Sequence, residues 1–297
     1  MKRILLLLCI IVAIQVVAQE TQFRHILITN DDGVEDKERL LALARAVNLV
    51  AEHVSIVVPD SDRSGTSNHT TFGKHQSNLE IICTHARDKN GIAFYTMPGN
   101  PADCALLGLT GFFGADRPDL VLSGINGGPN IGPDWFGSGT IGAVRMAAFL
   151  GVKAVAISGF EDEYPESFVM IPDWIMQFIS SGALDVLEKN TYLTIGIPEI
   201  PPKEIKGVQI ARRQIAFSED ADIAFHQIEG NDPHITGNQS TWTLNAKGIG
   251  GTTITNSDEE WLRDGYIVLT PMSLDENCPE LLNRLISCSD SIPGFNQ

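Results

Sequence analysis

Three short polar runs carry the residue types that chemistry needs. The first, Thr29-Asn30-Asp31-Asp32-Gly33, sets two carboxylates side by side. Neighbouring side chains on a strand point to opposite faces, so Asp31 and Asp32 converge only if the chain has already turned, which Gly33 permits. Paired carboxylates in a confined site repel unless a cation or a proton sits between them. Taken alone, the run is better read as an Asx turn leading into a helix. The second run, Pro59-Asp60-Ser61-Asp62-Arg63-Ser64-Gly65-Thr66-Ser67-Asn68, supplies hydroxyl and amide oxygens, with Arg63 as a candidate phosphate partner; its composition fits a solvated surface loop about as well. The third extends from Ser123 through Gly124, Asn126, Gly127, Gly128 and Asn130 to Gly132, and on to Ser138-Gly139-Thr140 at a predicted helix start. Glycines let backbone amides approach an anion, and a hydroxyl at a helix start adds a donor beside the positive end of the dipole. The run lacks a P-loop lysine and does not form the dinucleotide glycine pattern.

Together the runs offer carboxylate, hydroxyl and amide oxygens without a His or Cys cluster. Hard oxygen ligands select Mg²⁺, Mn²⁺ or Ca²⁺ over Zn²⁺. A cation with open positions beside an anion-binding helix start suits phosphate-ester hydrolysis, because it polarises a phosphoryl oxygen and activates water. That reaction needs barrier reductions at or beyond the top of the ~8–23 kcal/mol range, more than a lone histidine supplies. His69 and His75 near the second run receive no role. Cys104 reads as a core residue at a helix start, with Asp103 a charge near that start.

These runs must be positioned by the elements that precede them. His25–Thr29 reads as a buried strand, Glu35–Glu52 as a helix with Leu40, Leu43, Val47 and Val50 at helical spacing, and Val54–Val58 as a second strand. The alternation continues: helix Asp103–Phe113, strand Asp119–Ser123, helix Thr140–Leu150, strand Ala154–Ser158, helix Asp173–Leu187, strand Tyr192–Gly196. Repeated strand and helix implies right-handed crossovers and an α/β fold, a Rossmann-like, mostly parallel sheet with flanking helices. Leu79–Thr84 and Ile92–Met97 flank a polar turn at Arg87–Gly91 and predict a hairpin beside the sheet. Beyond Pro201-Pro202 the character changes. Val208–Ala211 and Tyr266–Thr270 read as strands, and Phe217–Trp261 as a polar, Gly-rich, irregular stretch belonging to a C-terminal extended β arm. The organisation expected is a leader at 1–18, a catalytic core at 19–200 and an arm with an oligomerisation role at 201–297.

The chain of 297 residues is 43% hydrophobic and 20% charged, enough for one generous core. Its start combines Lys2 and Arg3, an apolar run from Ile4 to Val17 and small residues at Val16-Val17-Ala18, the pattern of a secretory signal cleaved after Ala18. The apolar run is shorter than the ~20 residues of a membrane span, so export without a membrane anchor is expected. Losing Lys2 and Arg3 leaves 19 basic against 37 acidic residues and moves the formal charge from -16 to -18. Such a chain repels polyanions and is no general nucleic-acid binder, so a small anionic substrate needs a local neutralising group. Cys278 and Cys288 can pair in an oxidising compartment, although free thiols are the default. The sequons at Asn68 and Asn238 matter only in a glycosylating host.

ILITNDDGV at 26–34, VVPDSDRSGTSN at 57–68, PGNPADC at 98–104, RPDLVLSGINGGPNIG at 117–132, SGT at 138–140 and DGYIVLTP at 264–271 closely resemble, in order, the motifs of the SurE family of survival-protein 5'-nucleotidases. The resemblance implies a Rossmann-like fold, a homodimer or homotetramer with exchanged C-terminal elements, and divalent-metal-dependent release of phosphate from nucleoside 5'- and often 3'-monophosphates. By matching position it implies Asp31, Asp32, Ser64 and Asn126 as ligands of one Mg²⁺ or Mn²⁺ per subunit, with Asp31 and Asp32 catalytic. Asn68, Gly127, Asn130, Ser138, Gly139 and Thr140 would surround the phosphate. The chain departs from the family pattern at Gly137, where a tyrosine is common, at Arg145-Met146 in place of Met-Glu, at Asn100 in place of threonine, and over Glu35–Arg39, which lacks a Pro-Gly start to the first helix. Direct attack by Asp31 and attack by an activated water both remain open. The competing reading is an exported nucleotide- or phosphate-binding protein without turnover, and a third is a related hydrolase for a phosphorylated sugar or a nucleoside.

Overall fold

Near-continuous burial along the central apolar runs marks them as strands covered by helices on both faces. In chain order the strands are β1 (Phe23–Thr29), β2 (Ala51–Pro59), β3 (Thr84–Arg87), β4 (Ala93–Met97), β5 (Leu120–Asn126), β6 (Lys153–Ser158), β7 (Thr191–Gly196), β8 (Val208–Ile210), β9 (Asp222–Ile228), β10 (Thr241–Lys247) and β11 (Ile267–Ser273). The α-helices are α1 (Lys37–Val47), α2 (Pro101–Leu107), α3 (Gly139–Phe149), α4 (Ser167–Ser180), α5 (Asp258–Arg263) and α6 (Pro279–Ser287). The computed structural model describes residues 22–71, 83–88, 91–215, 222–228, 241–247 and 254–287. The leader, His75, Leu79–Ile82, Asn238 and Cys288 lie outside them. No helix among the described residues is long and apolar enough to cross a membrane.

Among the described residues, nine strands form one sheet in the order β3-β4-β2-β1-β5-β6-β7-β11-β8. From β4 to β7 every pairing is parallel, while β3 and β11 run antiparallel to their neighbours β4 and β7. The chain winds from β1 outward to β2 and β4, then returns to β5 beside β1 and winds the other way through β6 and β7. The reversal opens a crevice outside the carboxyl ends of β1 and β5, where ligands bind in sheets of this kind. Ile26 and Ile28 face a layer holding Leu40, Leu43 and Val47 of α1 and Ile171, Ile175 and Ile179 of α4. Leu27 faces the opposite layer, with Cys104 of α2 and Ile141, Val144 and Ala147 of α3. Each such fully buried aliphatic side chain contributes roughly 1.5–3 kcal/mol, and the two layers fix the direction in which β1 and β5 deliver their ends.

Several boundaries differ from the sequence reading. The first helix is preceded by a 3₁₀ turn at Gly33–Asp36 and ends at Val47, with Asn48, Leu49 and Val50 closing a turn into β2. Val50 falls at helical spacing but is buried in the turn, beside an exposed Asn48 and Leu49. The helix read from Asp173 begins at Ser167, with Pro172 inside it; burial of Ile171, Pro172 and Ile175 outweighs the lost amide hydrogen bond. The hairpin of β3 and β4 belongs to the main sheet, because β4 pairs with β2. The stretch 217–261 is not irregular throughout. It contains β9 and β10, paired antiparallel as a separate two-stranded sheet, and the start of α5, capped by Ser257. Strands β8 and β11 join the main sheet from beyond residue 200.

Candidate active site

The turn after β1 is built by Asn30. Its side-chain amide donates to the Gly33 carbonyl (3.2 Å) and its Oδ1 accepts from the Gly33 amide (3.1 Å), so the Asx turn and the carboxylate pair are the same structure. Gly33 sits at φ +74°, and a Cβ there would lie 2.6 Å from the Ser61 carbonyl oxygen. The Arg63 amide donates to the Asp31 carbonyl (2.7 Å), which ties the second loop to this turn. Asp31 is buried, and its Oδ1 accepts a 2.5 Å hydrogen bond from the Thr140 hydroxyl at the start of α3. Asn130 Nδ2 donates to the same hydroxyl (3.1 Å). A Cβ on Gly139 would come within 2.9 Å of the Asp31 Cβ and 3.1 Å of Thr66 Oγ1, so the helix start needs glycine to approach the carboxylate. Three sequence-predicted residues from the first and third runs thus form one hydrogen-bonded chain.

The second loop lies across the start of α3. The Ser67 amide donates to the Gly137 carbonyl (2.9 Å) and its hydroxyl to the Phe136 carbonyl (2.9 Å), while a Cβ on Gly142 would fall 1.9 Å from the Ser67 carbonyl oxygen. Ser138 caps α3 by accepting from the Ile141 amide (3.1 Å). Asn126 ends β5 after a register shift against β6 that begins at Ser123; its Nδ2 donates to the Gly128 carbonyl (2.5 Å), which leaves its Oδ1 as an acceptor. Two sequence candidates are turned onto other partners: the Ser64 hydroxyl donates to Asp62 (2.6 Å), and Asn68 accepts from Arg145 (3.4 Å). Arg63 bends back to Asp60 (3.3 Å) and is no phosphate partner in this arrangement.

Burial raises the Asp31 carboxyl above its ordinary value, against the lowering hydrogen bond from Thr140. Asp32 is pushed up to about 8, first by burial, then by a hydrogen bond to Asp36 and the charges of Asp31 and Asp36, with Arg39 opposing. Its Oδ2 is buried without a hydrogen-bond partner among the described residues. A buried, unsatisfied carboxylate oxygen beside a second carboxylate fits a hard cation. Among the described residues no group of three or more His, Cys, Asp or Glu is gathered to hold a metal. A cation here would draw on Asp31 and Asp32 with a neutral oxygen from Asn126; Ser64 would join such a set only by turning its hydroxyl away from Asp62.

Sequence reasoning missed Arg39, Arg213 and Asp258. Arg39 reaches the crevice from α1: it pairs with Asp36, lies 3.9 Å from Asp32 Oδ2, and would meet a Cβ on Gly127 at 2.8 Å. Arg213 and Asp258 form a buried ion pair (2.8 Å) beneath the third loop. Arg213 donates to the Asn130 carbonyl (2.7 Å), and Asp258 accepts from the Gly132 amide (3.0 Å). Only the proximity of Arg39 to Asp36, one turn away, was visible in the sequence. A concavity of about 640 Å³ between α1 and α4 is lined by none of the predicted site residues. Another of about 360 Å³, lined by Asn68, Gly142, Arg145 and Glu276, runs along α3.

Comparison with known proteins gives a consistent result. The family described as Survival protein SurE matches residues 26–220. A 5'-nucleotidase SurE of Desulfatibacillum aliphaticivorans is 34% identical over 264 residues, covering 88% of this chain and 96% of that one. A 5'/3'-nucleotidase SurE of Cronobacter sakazakii is 33% identical, covering 84% and 90%. The crystal structure of the SurE protein from Aquifex aeolicus superposes with a TM-score of 0.72 at 25% identity, covering 90% of this chain and all of that one.

Proposed function

This chain belongs to the SurE survival-protein family, and from that premise we propose that it is a divalent-cation-dependent phosphomonoesterase releasing phosphate from nucleoside 5'-monophosphates, with 3'-monophosphates as further substrates. The observation that carries the reading is the hydrogen-bonded chain Asp31–Thr140–Asn130 at the crevice between β1 and β5. It supports a site in which a cation ligand and a phosphate-binding helix start are held as one unit. Relatives named as 5'-nucleotidases and a 5'/3'-nucleotidase support the substrate class.

Asp31, Asp32, Ser64 and Asn126 would hold one Mg²⁺ or Mn²⁺; bound there, the cation supplies Lewis-acid polarisation of the phosphoryl group and a lowered water pKa. The protein's own groups do the rest. The Gly127 and Gly139 positions let backbone amides approach the phosphate, and Ser138 and Thr140 fix the helix start whose dipole favours an anion. Asn130 and Asn68 supply amide donors at the rim. Export after cleavage near Ala18 is part of the proposal, supported by the leader pattern. So is assembly as a homodimer or homotetramer, supported by the exposed apolar side chains Ile210 (76%), Ile215 (70%), Phe225 (66%) and Trp242 (55%) near the sheet edge and on the β9–β10 ladder.

Phosphate release from a panel of nucleotides and sugar phosphates, with Mg²⁺ or Mn²⁺ and with chelator, tests the reading. Hydrolysis of nucleoside monophosphates that chelator abolishes is expected, and Asp31→Asn should abolish it while leaving the circular dichroism spectrum unchanged. Tight binding without turnover would favour a receptor, and turnover indifferent to chelator would remove the cation.

A further inference from the structure

The geometry points to Arg39 as a further substrate-contacting residue, a guanidinium that meets the phosphoryl oxygens from the α1 side of the crevice. This rests on the phosphomonoesterase reading and adds the one group that reading lacks. The phosphate-surrounding residues named above are neutral, and a divalent cation is already balanced by Asp31 and Asp32. A phosphate dianion entering a chain with 37 acidic and 21 basic residues needs a positive charge of its own.

Arg39 is placed to supply it. The side chain is 9% exposed and enclosed by three carboxylates: it is ion-paired with Asp36, with Nε 3.7 Å from Asp162 and Nη1 3.9 Å from Asp32 Oδ2. A purely structural role, pairing with Asp36, occupies Nη2, while Nε lies 3.7 Å from Asp162, an ion-pair distance without a hydrogen bond, and Nη1 is left over. That nitrogen is buried and has no hydrogen-bond partner among the described residues. It is also the atom that a Cβ on Gly127 would approach at 2.8 Å, which places it against the backbone of the glycine-rich loop. Asp32 Oδ2, the facing carboxylate oxygen, is orphaned as well. At 3.9 Å the two are too far apart to satisfy each other. Two buried orphans of opposite sign at that separation match a site completed by an ion pair of the reverse order, with the cation on the carboxylate and the anion's oxygen on the guanidinium. A planar fork already anchored at Nη2 presents Nη1 with little further loss of freedom. Arg39 also lies in the stretch, Glu35–Arg39, where the chain departs from the usual start of the family's first helix.

The test is calorimetric and does not depend on turnover. Inorganic phosphate is titrated into the Mn²⁺-loaded wild type, Arg39→Lys and Arg39→Met, and Mn²⁺ affinity is measured separately for each. Arg39→Met should weaken phosphate binding about 10- to 100-fold, the loss of one hydrogen bond to a charged group, with Mn²⁺ affinity changed by less than about threefold on the same grounds. Arg39→Lys, which keeps the charge and loses the fork, should fall between. Unchanged phosphate affinity, or a loss that only follows a loss of Mn²⁺, overturns the assignment. So does failure of both variants to fold, which would make Arg39 a structural charge. Wild-type protein that binds phosphate but hydrolyses no nucleotide would sink the catalytic reading while leaving the Arg39 contact measurable.

Discussion

The ion pair beneath the third loop offers the sharpest separation of stability from function. Asp258 is fully buried and accepts from Arg213 Nη1 (2.8 Å), the Gly132 amide (3.0 Å) and the Gln214 amide (2.8 Å). Arg213 in turn donates to the Asn130 carbonyl (2.7 Å) and Thr194 Oγ1 (2.6 Å). Burial pulls Arg213 below its ordinary pKa, and the Asp258 charge opposes that shift. Removing one partner of such a pair leaves an uncompensated buried charge, at a cost of about 3–5 kcal/mol. Arg213→Met should therefore lower the melting temperature by roughly 6–20 °C. It also frees the Asn130 carbonyl and with it the amide that steadies Thr140 against Asp31, so kcat/KM should drop on the order of 10- to 100-fold. Adding Asp258→Asn removes the stranded charge and keeps an acceptor for a backbone amide. The double variant should recover about 1–3 kcal/mol relative to the sum of the single variants. Activity should not return with it, because nothing then holds Asn130. Denaturant titrations of the four proteins, paired with phosphate-release kinetics, complete the cycle. Additivity within about 0.5 kcal/mol, or a double variant that regains both stability and turnover, would refute this account of the loop.

Other consequences follow from single contacts. Gly142→Ala should destabilise the fold by about 1–3 kcal/mol and impair turnover, although alanine is the better helix former by about 1 kcal/mol, because its methyl would lie 1.9 Å from the Ser67 carbonyl; a raised melting temperature would contradict the packing. Thr140→Val removes the donor that holds the Asp31 carboxyl down, so the acid limb of the pH–rate profile should move upward while Thr140→Ser leaves it in place. With Asp32 pushed up to about 8, a cation must displace its proton at neutral pH. Mn²⁺ affinity should then rise roughly tenfold per pH unit from pH 6 and level off near pH 8, with proton release detectable by calorimetry in buffers of differing ionisation enthalpy; flat affinity across that range would rule it out. The same raised carboxyl binds its proton more tightly folded than unfolded, so the metal-free fold should lose stability as pH climbs from the ordinary carboxylate range toward 8, and added cation should restore it.

The amino-acid sequence determined what local chemistry can announce. Asn30-Asp31-Asp32-Gly33, Ser123–Gly132 and Ser138-Gly139-Thr140 carry turn, carboxylate, glycine and capping signals within a few residues of one another, so their loops and the strands before them were legible. Helix limits were less so: Val50 falls at helical spacing yet is buried in the turn after α1, and α4 begins before Asp173 because the burial of Pro172 within it outweighs a lost amide hydrogen bond. Tertiary structure alone decided the partnerships. Thr140 reaches Asp31 across 109 residues, and Asp258 reaches Gly132 across 126 and Arg213 across 45. Arg39 looks like any charged residue on an amphipathic helix until α1 is packed against the sheet and its guanidinium is buried beside Gly127. Such contacts are set by the winding order of the strands and by which face each helix covers, and neither is encoded in any short stretch of chain.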